Sequence, residues 1–146
     1  MAYRTCGNEA IDRPTSHGGG LTQIELLVPI SNRGILKEVS VYTTGGAAFK
    51  IKVFRDDGVN YVFVGEQSVT AAGAGLSVFG TWIAVEVGDL IGFYILAANV
   101  IDSTNPGGVM KTKAGDVTTT TAKAGWADGA HITSLFGKVF TKVGAI

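Results

Sequence analysis

Apolar and polar residues alternate with a period of two along much of this chain. The segment 48–55 is the clearest example, since Phe49, Ile51 and Val53 are separated by lysines. This period places successive side chains on opposite faces of a β-strand, so that one face is buried and the other is in water. The segment 90–97 is apolar at almost every position, as expected for a strand in the centre of a sheet.

The same pattern predicts a series of strands and no helix. The predicted strands cover residues 21–28, 35–44, 48–55, 61–64, 76–79, 81–87, 90–97, 109–113 and 131–143. Turn-forming residues separate them, and both Asp56-Asp57-Gly58 and Gly88-Asp89 are typical of tight hairpins. Short strands at this spacing favour one all-β domain, a two-layer antiparallel β-sandwich that is jelly-roll-like.

Three stretches of the chain lack this alternation, and residues 99–108 are predicted to be a loop. Residues 1–20 end in three glycines and are predicted to be an irregular N-terminal arm, so that the sandwich domain covers residues 21–146. Residues 114–130 are predicted to be a long polar loop. The threonine run from 118 to 121 would also fit an extended strand, because β-branched residues favour strands.

The composition fits a packed domain that associates with further copies of itself. Of the 146 residues, 46% are hydrophobic and 16% are charged, and the mean hydropathy is +0.30. The low charge content predicts that another subunit covers some apolar surface, in a homo-oligomer. The 12 basic and 12 acidic side chains cancel, which gives no signal for a nucleic-acid partner. No apolar run is as long as a membrane span, so no membrane partner is expected.

The residues that most enzymes use for catalysis are scarce. Cys6 is the only cysteine, and His17 and His131 are the only histidines, too few for a cysteine zinc site or a three-histidine metal site. No Gly-x-Ser-x-Gly motif marks a nucleophile. We therefore expect a protein that is not an enzyme and has no cofactor. Cys6 is interpreted as a small packed side chain rather than a reactive thiol, and His131 as a surface or hydrogen-bonded histidine.

Calcium is an alternative that the acidic loops leave open. Asp56-Asp57-Gly58 lacks the further oxygen ligands and the closing glutamate of an EF-hand, so a hairpin turn is the favoured interpretation. Calcium sites in β-sandwiches can also take their ligands from separate loops. The loop residues with suitable oxygens are Asp102, Asn105, Asp116 and Asp128.

The most suggestive binding element is a tryptophan in a glycine-flanked loop. Trp126 has no obvious core partner in its own segment, and an aromatic face can stack on the C–H surface of a sugar. Asp128 and Asn105 would accept hydrogen bonds from sugar hydroxyls beside it. The alternative is that Trp126 folds back to cap the sandwich or is buried between subunits. Trp82 lies within a predicted strand and is expected in the core or in an interface.

One block of the sequence is more specific than composition. Residues 34–42, 50–65 and 83–94, in this order, resemble β-sandwich modules of extracellular lectin-like, adhesin and phage tail-fibre proteins. The resemblance covers about residues 21–97, and its best-matched part is the Gly88-Asp89 hairpin. It implies a sandwich fold and an extracellular or virion-associated location, and it carries over no ligand-binding residue.

Two functions are consistent with these features. The leading hypothesis is a non-catalytic binding module that recognises carbohydrate or a cell-surface polymer through the loops at one end of the sandwich. The alternative is a structural assembly protein, such as a virion, fibre or appendage subunit, whose apolar surface closes a symmetric oligomer. Burial or exposure of Trp126 distinguishes the two.

Overall fold

The computed structural model describes residues 2–96 and 99–141, and regular structure in this part of the chain is almost entirely β. The strands, numbered in chain order, are β1 (Tyr3–Gly7), β2 (Thr15–His17), β3 (Leu21–Glu25), β4 (Gly34–Thr43), β5 (Ala47–Asp56), β6 (Asn60–Ala71), β7 (Gly75–Val85), β8 (Leu90–Ile95), β9 (Ile101–Thr104), β10 (Met110–Ala114), β11 (Thr121–Ala122), β12 (Ala127–Gly129), β13 (Ile132–Thr133) and β14 (Leu135–Thr141). They form two antiparallel sheets, which confirms the predicted two-layer all-β sandwich.

The chain passes repeatedly between two seven-stranded sheets. Sheet I has the order β1-β14-β4-β9-β13, with β7 beside β4 and β2 beside β9. Sheet II has the order β11-β6-β5-β8-β3-β10-β12. The chain enters sheet II at β3 and crosses to sheet I for β4. It returns to sheet II for the β5–β6 hairpin, crosses to sheet I for β7 and returns to sheet II for β8. This exchange between layers is the connectivity of a jelly-roll-like sandwich.

The main core lies between the two sheets and follows the predicted alternation. In β4, Val39 and Val41 are fully buried, whereas Ser40 and Tyr42 are on the outer side. Each aliphatic side chain buried in this way contributes about 1.5–3 kcal/mol. Other fully buried members of the core are Leu36, Ile51, Val53, Phe93, Ile95, Ile101 and Leu135.

The β5–β6 hairpin turn forms as predicted, but the predicted Gly88-Asp89 hairpin is wrong, because this turn leads from β7 in sheet I to β8 in sheet II and the two strands do not pair. In the β5–β6 turn Gly58 has φ +97°, and the carboxylate of Asp57 accepts hydrogen bonds from the backbone N–H groups of Val59 and Asn60. Gly88 has φ +90°, a conformation that glycine adopts without strain. The carboxylate of Asp89 accepts a hydrogen bond from the backbone N–H of Glu86, three residues earlier.

The first twenty residues differ from the predicted irregular arm, because they contain β1 and β2. β1 pairs with β14 at the edge of sheet I, and β2 pairs with β9. These strands are short and exposed over part of their length, so they show little alternation, yet they satisfy backbone groups at the sheet edges. Cys6 is buried in the main core, and its burial raises the pKa of its thiol to about 12.

The predicted loop 99–108 contains the strand β9, the predicted strand 131–143 contains both β13 and β14, and other strand boundaries also differ from the prediction. The predicted strand 61–64 is part of β6, which continues to Ala71 because it pairs with β5 over its whole length. The predicted strands 76–79 and 81–87 are one continuous strand, β7, in which Gly80 does not interrupt the pairing with β4. Residues 97 and 142–143, at the ends of two other predicted strands, lie outside the described residues.

Candidate functional site

The predicted polar loop crosses the outer face of sheet II, and we call its residues 115–126 the strap. It leaves β10 near one edge of the sheet, pairs with β6 through Thr121 and Tyr61 near the other edge, and returns to pair β12 with β10. Its start is fixed by Thr22, whose hydroxyl donates to the Gly115 carbonyl and accepts from the Val117 N–H. The strap therefore covers one half of the outer face.

Trp126 is buried beneath the strap, with only 6% of its surface exposed. Its ring makes edge-to-face contacts with Phe54 and Tyr61, at centroid distances of 5.6 and 5.4 Å. The indole Nε1 donates a hydrogen bond to the Thr121 hydroxyl at 2.9 Å. Trp126 thus completes a second core on sheet II, as in the alternative in which it caps the sandwich. A sugar has no free indole face to stack on, which corrects the ligand-binding role predicted for this residue.

The other two residues predicted to bind a ligand lie elsewhere. Asp128 points into solvent from β12, where its carboxylate pairs with the ammonium group of Lys111. Asn105 is exposed in the loop that follows β9 in sheet I. The structure therefore does not assemble Trp126, Asp128 and Asn105 into one pocket.

The candidate calcium ligands are also separated. Asp102 is buried in sheet I, where its Oδ2 accepts a hydrogen bond from the Arg13 N–H, and Asp116 is bound by lysines on sheet II. Among residues 2–96 and 99–141, no three histidine, cysteine or carboxylate side chains are grouped as metal ligands. The described segments also contain no helix long and apolar enough to cross a membrane.

Four charged side chains fasten the strap to sheet II. Lys52 is completely buried, and its Nζ donates to Glu66 Oε1 at 2.5 Å, Asp116 Oδ1 at 2.6 Å and the Val117 carbonyl at 2.8 Å. Lys50 Nζ lies 2.5 Å from Asp116 Oδ2 and 3.4 Å from Glu66 Oε2. We call these two lysines and two carboxylates the lysine–carboxylate cluster. The sequence correctly placed both lysines on the outer face but gave no sign that one of them is buried.

The ion pairs shift the pKa values of two members of the cluster. Burial disfavours ionisation of Asp116, but hydrogen bonds from Lys50 and Lys52 outweigh this and hold the pKa of the carboxyl below its usual value. The hydrogen bond to Asp116 raises the pKa of Lys50. Lys50 and Asp116 are therefore stabilised as an ion pair.

The half of the outer face that the strap leaves open forms a cleft of about 470 Å³. Its lining includes Ala48, Lys50, Ser68, Thr70, Tyr94 and Leu96. Lys50 pairs across the strands with Tyr94 on one side and Ser68 on the other, so these three side chains share one face of the sheet. We call this the sheet II cleft.

The outer face of sheet I carries large apolar side chains on β7 and β14, with the polar side chains of Lys37, Glu38 and Ser40 of β4 between them. Strand β7 presents Leu76, Val78 and Trp82 to solvent, with exposed fractions of 58%, 55% and 68%. Trp82 therefore lies outside the core of its own subunit, so the predicted core location is wrong and the interface stays a prediction.

Aromatic side chains of the neighbouring strands extend this surface. Phe136 and Phe140 of β14 lie on its outer side, and the ring of Tyr3 is 5.3 Å from that of Phe140. We call the surface formed by Tyr3, Leu76, Val78, Trp82, Phe136 and Phe140 the apolar face. The sequence contained a signal for it, because β7 is apolar on both of its faces.

The charges on the apolar face are held within the same subunit. Lys37 Nζ lies 5.0 Å from the ring centre of Trp82 and 5.5 Å from that of Phe140. Lys138 forms an ion pair with Glu38 at 3.1 Å.

At the far end of β7, Leu76 and Phe136 line a hollow of about 240 Å³ together with Ile11.

A buried polar group lies at one end of the sandwich. Glu25 is only 1% exposed and accepts hydrogen bonds from Asn8 Nδ2, at 3.1 Å, and from the Thr133 hydroxyl. Burial raises the pKa of Glu25 to about 7, although both hydrogen bonds act against this increase.

The two histidines contact each other on sheet I. The ring of His131 stacks on that of His17, and the Nδ1 of His131 lies 3.1 Å from the hydroxyl of Ser103. His131 is therefore hydrogen-bonded, as the sequence suggested.

Comparison with protein-family models, with curated proteins and with solved structures found no match for this chain.

Proposed function

We propose that the protein is a structural assembly subunit whose copies associate through the apolar face of sheet I into a symmetric homo-oligomer. The observation that carries the proposal is Trp82, with 68% of its surface exposed beside Leu76 and Val78. A tryptophan can bury about 150–250 Å² in a contact, and it is among the residues that contribute most to protein interfaces. Large exposed apolar side chains grouped on one face are typical of an interaction site.

The composition of the face supports a second copy of the chain as the partner. Glu38 and Lys138 neutralise each other. Lys37 adds a positive charge above Trp82 and Phe140, which is a weak signal for an oppositely charged partner. Interfaces between identical subunits are more apolar than other interfaces, and their centres are depleted of charged residues. The low charge content of the whole chain agrees with this partner.

Contact through the face is favoured over addition of a strand to the edge of β7. Gln67 of β6 reaches across to this edge, where its Nε2 donates to the Gly80 carbonyl at 2.6 Å and its Oε1 accepts from the Trp82 N–H at 3.3 Å. These backbone groups would otherwise pair with an added strand. Gln67 thus protects the edge and leaves the face free.

The face also has a projecting side chain at one end and a hollow at the other. Trp82 projects from one end of β7, and the hollow beside Leu76 and Phe136 lies at the other, about 20 Å away along the strand. A rotation that relates two copies can place the Trp82 of one in the hollow of the next. A two-fold axis places both contacts in a single interface, whereas a closed ring has one such contact in each interface.

Light scattering coupled to size-exclusion chromatography tests the proposal. We expect the wild-type mass to be a multiple of 15.1 kDa and the Trp82→Glu variant to be a monomer, because a buried unpaired carboxylate opposes association. Val59→Glu is the matched control, since Val59 is equally exposed but lies in the β5–β6 turn, and it should keep the wild-type mass. A monomeric wild type, or a Trp82→Glu variant that still assembles, would overturn the proposal.

A further inference from the structure

The sheet II cleft combines an apolar floor with a row of hydroxyl groups. Ala48 and Leu96 supply aliphatic surface, and Tyr94 supplies a half-buried aromatic ring. Ser68 and Thr70 lie two residues apart on β6, so both side chains are on the same face of that strand, and both are exposed. At about 470 Å³ the cleft is within the range of small-molecule sites, which are about 300–1,000 Å³.

The charges at the cleft favour an uncharged ligand. Lys50 and Asp116 of the lysine–carboxylate cluster form one wall, and their opposite charges offset each other at 2.5 Å. Lys50 Nζ and the carboxylate of Asp116 still offer a donor and an acceptor side by side at the rim, where their side chains are 31% and 28% exposed. A ligand that can both donate and accept hydrogen bonds without a charge of its own fits this wall.

We propose that the sheet II cleft binds a neutral saccharide. One face of a sugar ring is made of C–H groups, which can stack on Tyr94, while the hydroxyls at its edge can bond to Ser68, Thr70 and the Lys50–Asp116 pair. The strap creates this site, because Asp116 at its start closes the cleft on one side.

The cleft and the apolar face lie on different sheets, so one does not depend on the other. In an oligomer assembled through sheet I, the outer face of sheet II would remain open to solvent. Several copies of one weak site would then bind a polymer of sugars more tightly than a single sugar, since the second contact is made at high effective concentration.

Nuclear magnetic resonance titration of the wild-type protein tests the site. The probes are glucose, galactose, mannose and N-acetylglucosamine, each up to about 20 mM, because a single small contact site gives millimolar affinity. We expect at least one of them to shift the backbone resonances of Ser68, Thr70 and Tyr94 in a saturable way. Glucuronate serves as the charged comparison and should bind more weakly than the best neutral sugar.

Three variants give the expected effects and their control. Tyr94→Ala removes the stacking surface, and Thr70→Val removes one hydroxyl at nearly constant volume. Each should weaken binding roughly tenfold or more. Thr119→Val alters an exposed threonine of the strap and should leave the affinity unchanged.

Three results would overturn the saccharide site: no shift with any neutral sugar, binding that survives both cleft variants, or tighter binding of glucuronate. The mass of the oligomer is measured on the same samples. Loss of sugar binding with an unchanged mass would therefore leave the assembly proposal intact.

Discussion

Ionisation of Glu25 should make the stability of the sandwich depend on pH. Its carboxyl group is buried between β3 and β13, where Asn8 and Thr133 provide hydrogen bonds and Arg13 is the nearest compensating charge. Burial raises the pKa of Glu25 from 4.5 to about 7 in the folded protein, so the folded protein holds this proton more tightly than the unfolded chain.

The sign and size of the effect follow from linkage. A carboxyl group with a raised pKa contributes its full stability below the unfolded pKa and loses it as the pH rises through the folded one. The free energy of unfolding should therefore fall between about pH 4.5 and pH 7 and then level off. The difference between the two pKa values corresponds to roughly 3 kcal/mol.

Urea unfolding of the wild type and of Glu25→Gln from pH 4.5 to pH 8.5 measures this contribution, at one protein concentration throughout. The glutamine keeps the shape of the side chain but cannot ionise, so its advantage over the wild type should grow by roughly 3 kcal/mol as the pH rises. Glu9→Gln changes an exposed carboxylate and should run parallel to the wild type. A constant difference between the wild type and Glu25→Gln across this range would refute the reasoning.

Three further predictions concern the strap and the core. Trp126→Ala should lower the free energy of unfolding, measured in urea, by about 3–5 kcal/mol, because it leaves a cavity between Phe54 and Tyr61. A loss below about 1 kcal/mol would mean that the ring is not buried. Lys52→Ala should lower the free energy of unfolding by about 3–5 kcal/mol, since it leaves two carboxylates without their buried cation. The double variant Lys52→Ala/Asp116→Asn should lose less stability than the sum of the two single variants, because the two residues form an ion pair. The thiol of Cys6 should resist iodoacetamide at pH 8 in the folded protein and react only after unfolding, because it is buried and its pKa is raised. Mass spectrometry follows the labelling, and fast labelling of the folded protein would contradict the burial of Cys6.

Local signals in the sequence were sufficient for most of the fold. The alternation in β4 and β5 and the hairpin turn at Gly58 depend on near neighbours and were predicted correctly. A turn also forms at Gly88, but it connects the two sheets instead of closing the predicted hairpin. β1 and β2 were missed because they gain their structure from pairing with β14 and β9, which are distant in the chain. A short edge strand has no periodicity of its own to reveal it.

The site was harder to predict because it depends on the path of the strap. Trp126 has no apolar neighbours in its own segment, and its partners Phe54 and Tyr61 lie more than 60 residues earlier in the sequence. Lys52 looked like a solvated lysine on a polar strand face, and only the returning strap buries it. For Trp82, the sequence identified the need for burial but not the partner that would supply it.

The accessibility of Trp82 in the wild-type protein tests the assembly proposal most directly. Acrylamide quenching of tryptophan fluorescence needs no substitution, since Trp126 is buried within each subunit and any readily quenched emission must come from Trp82. We expect both tryptophans to be shielded at micromolar concentration, with Trp82 becoming accessible only when dilution separates the subunits. Emission from one tryptophan that is quenched as readily as free indole at every concentration would show that the apolar face stays uncovered.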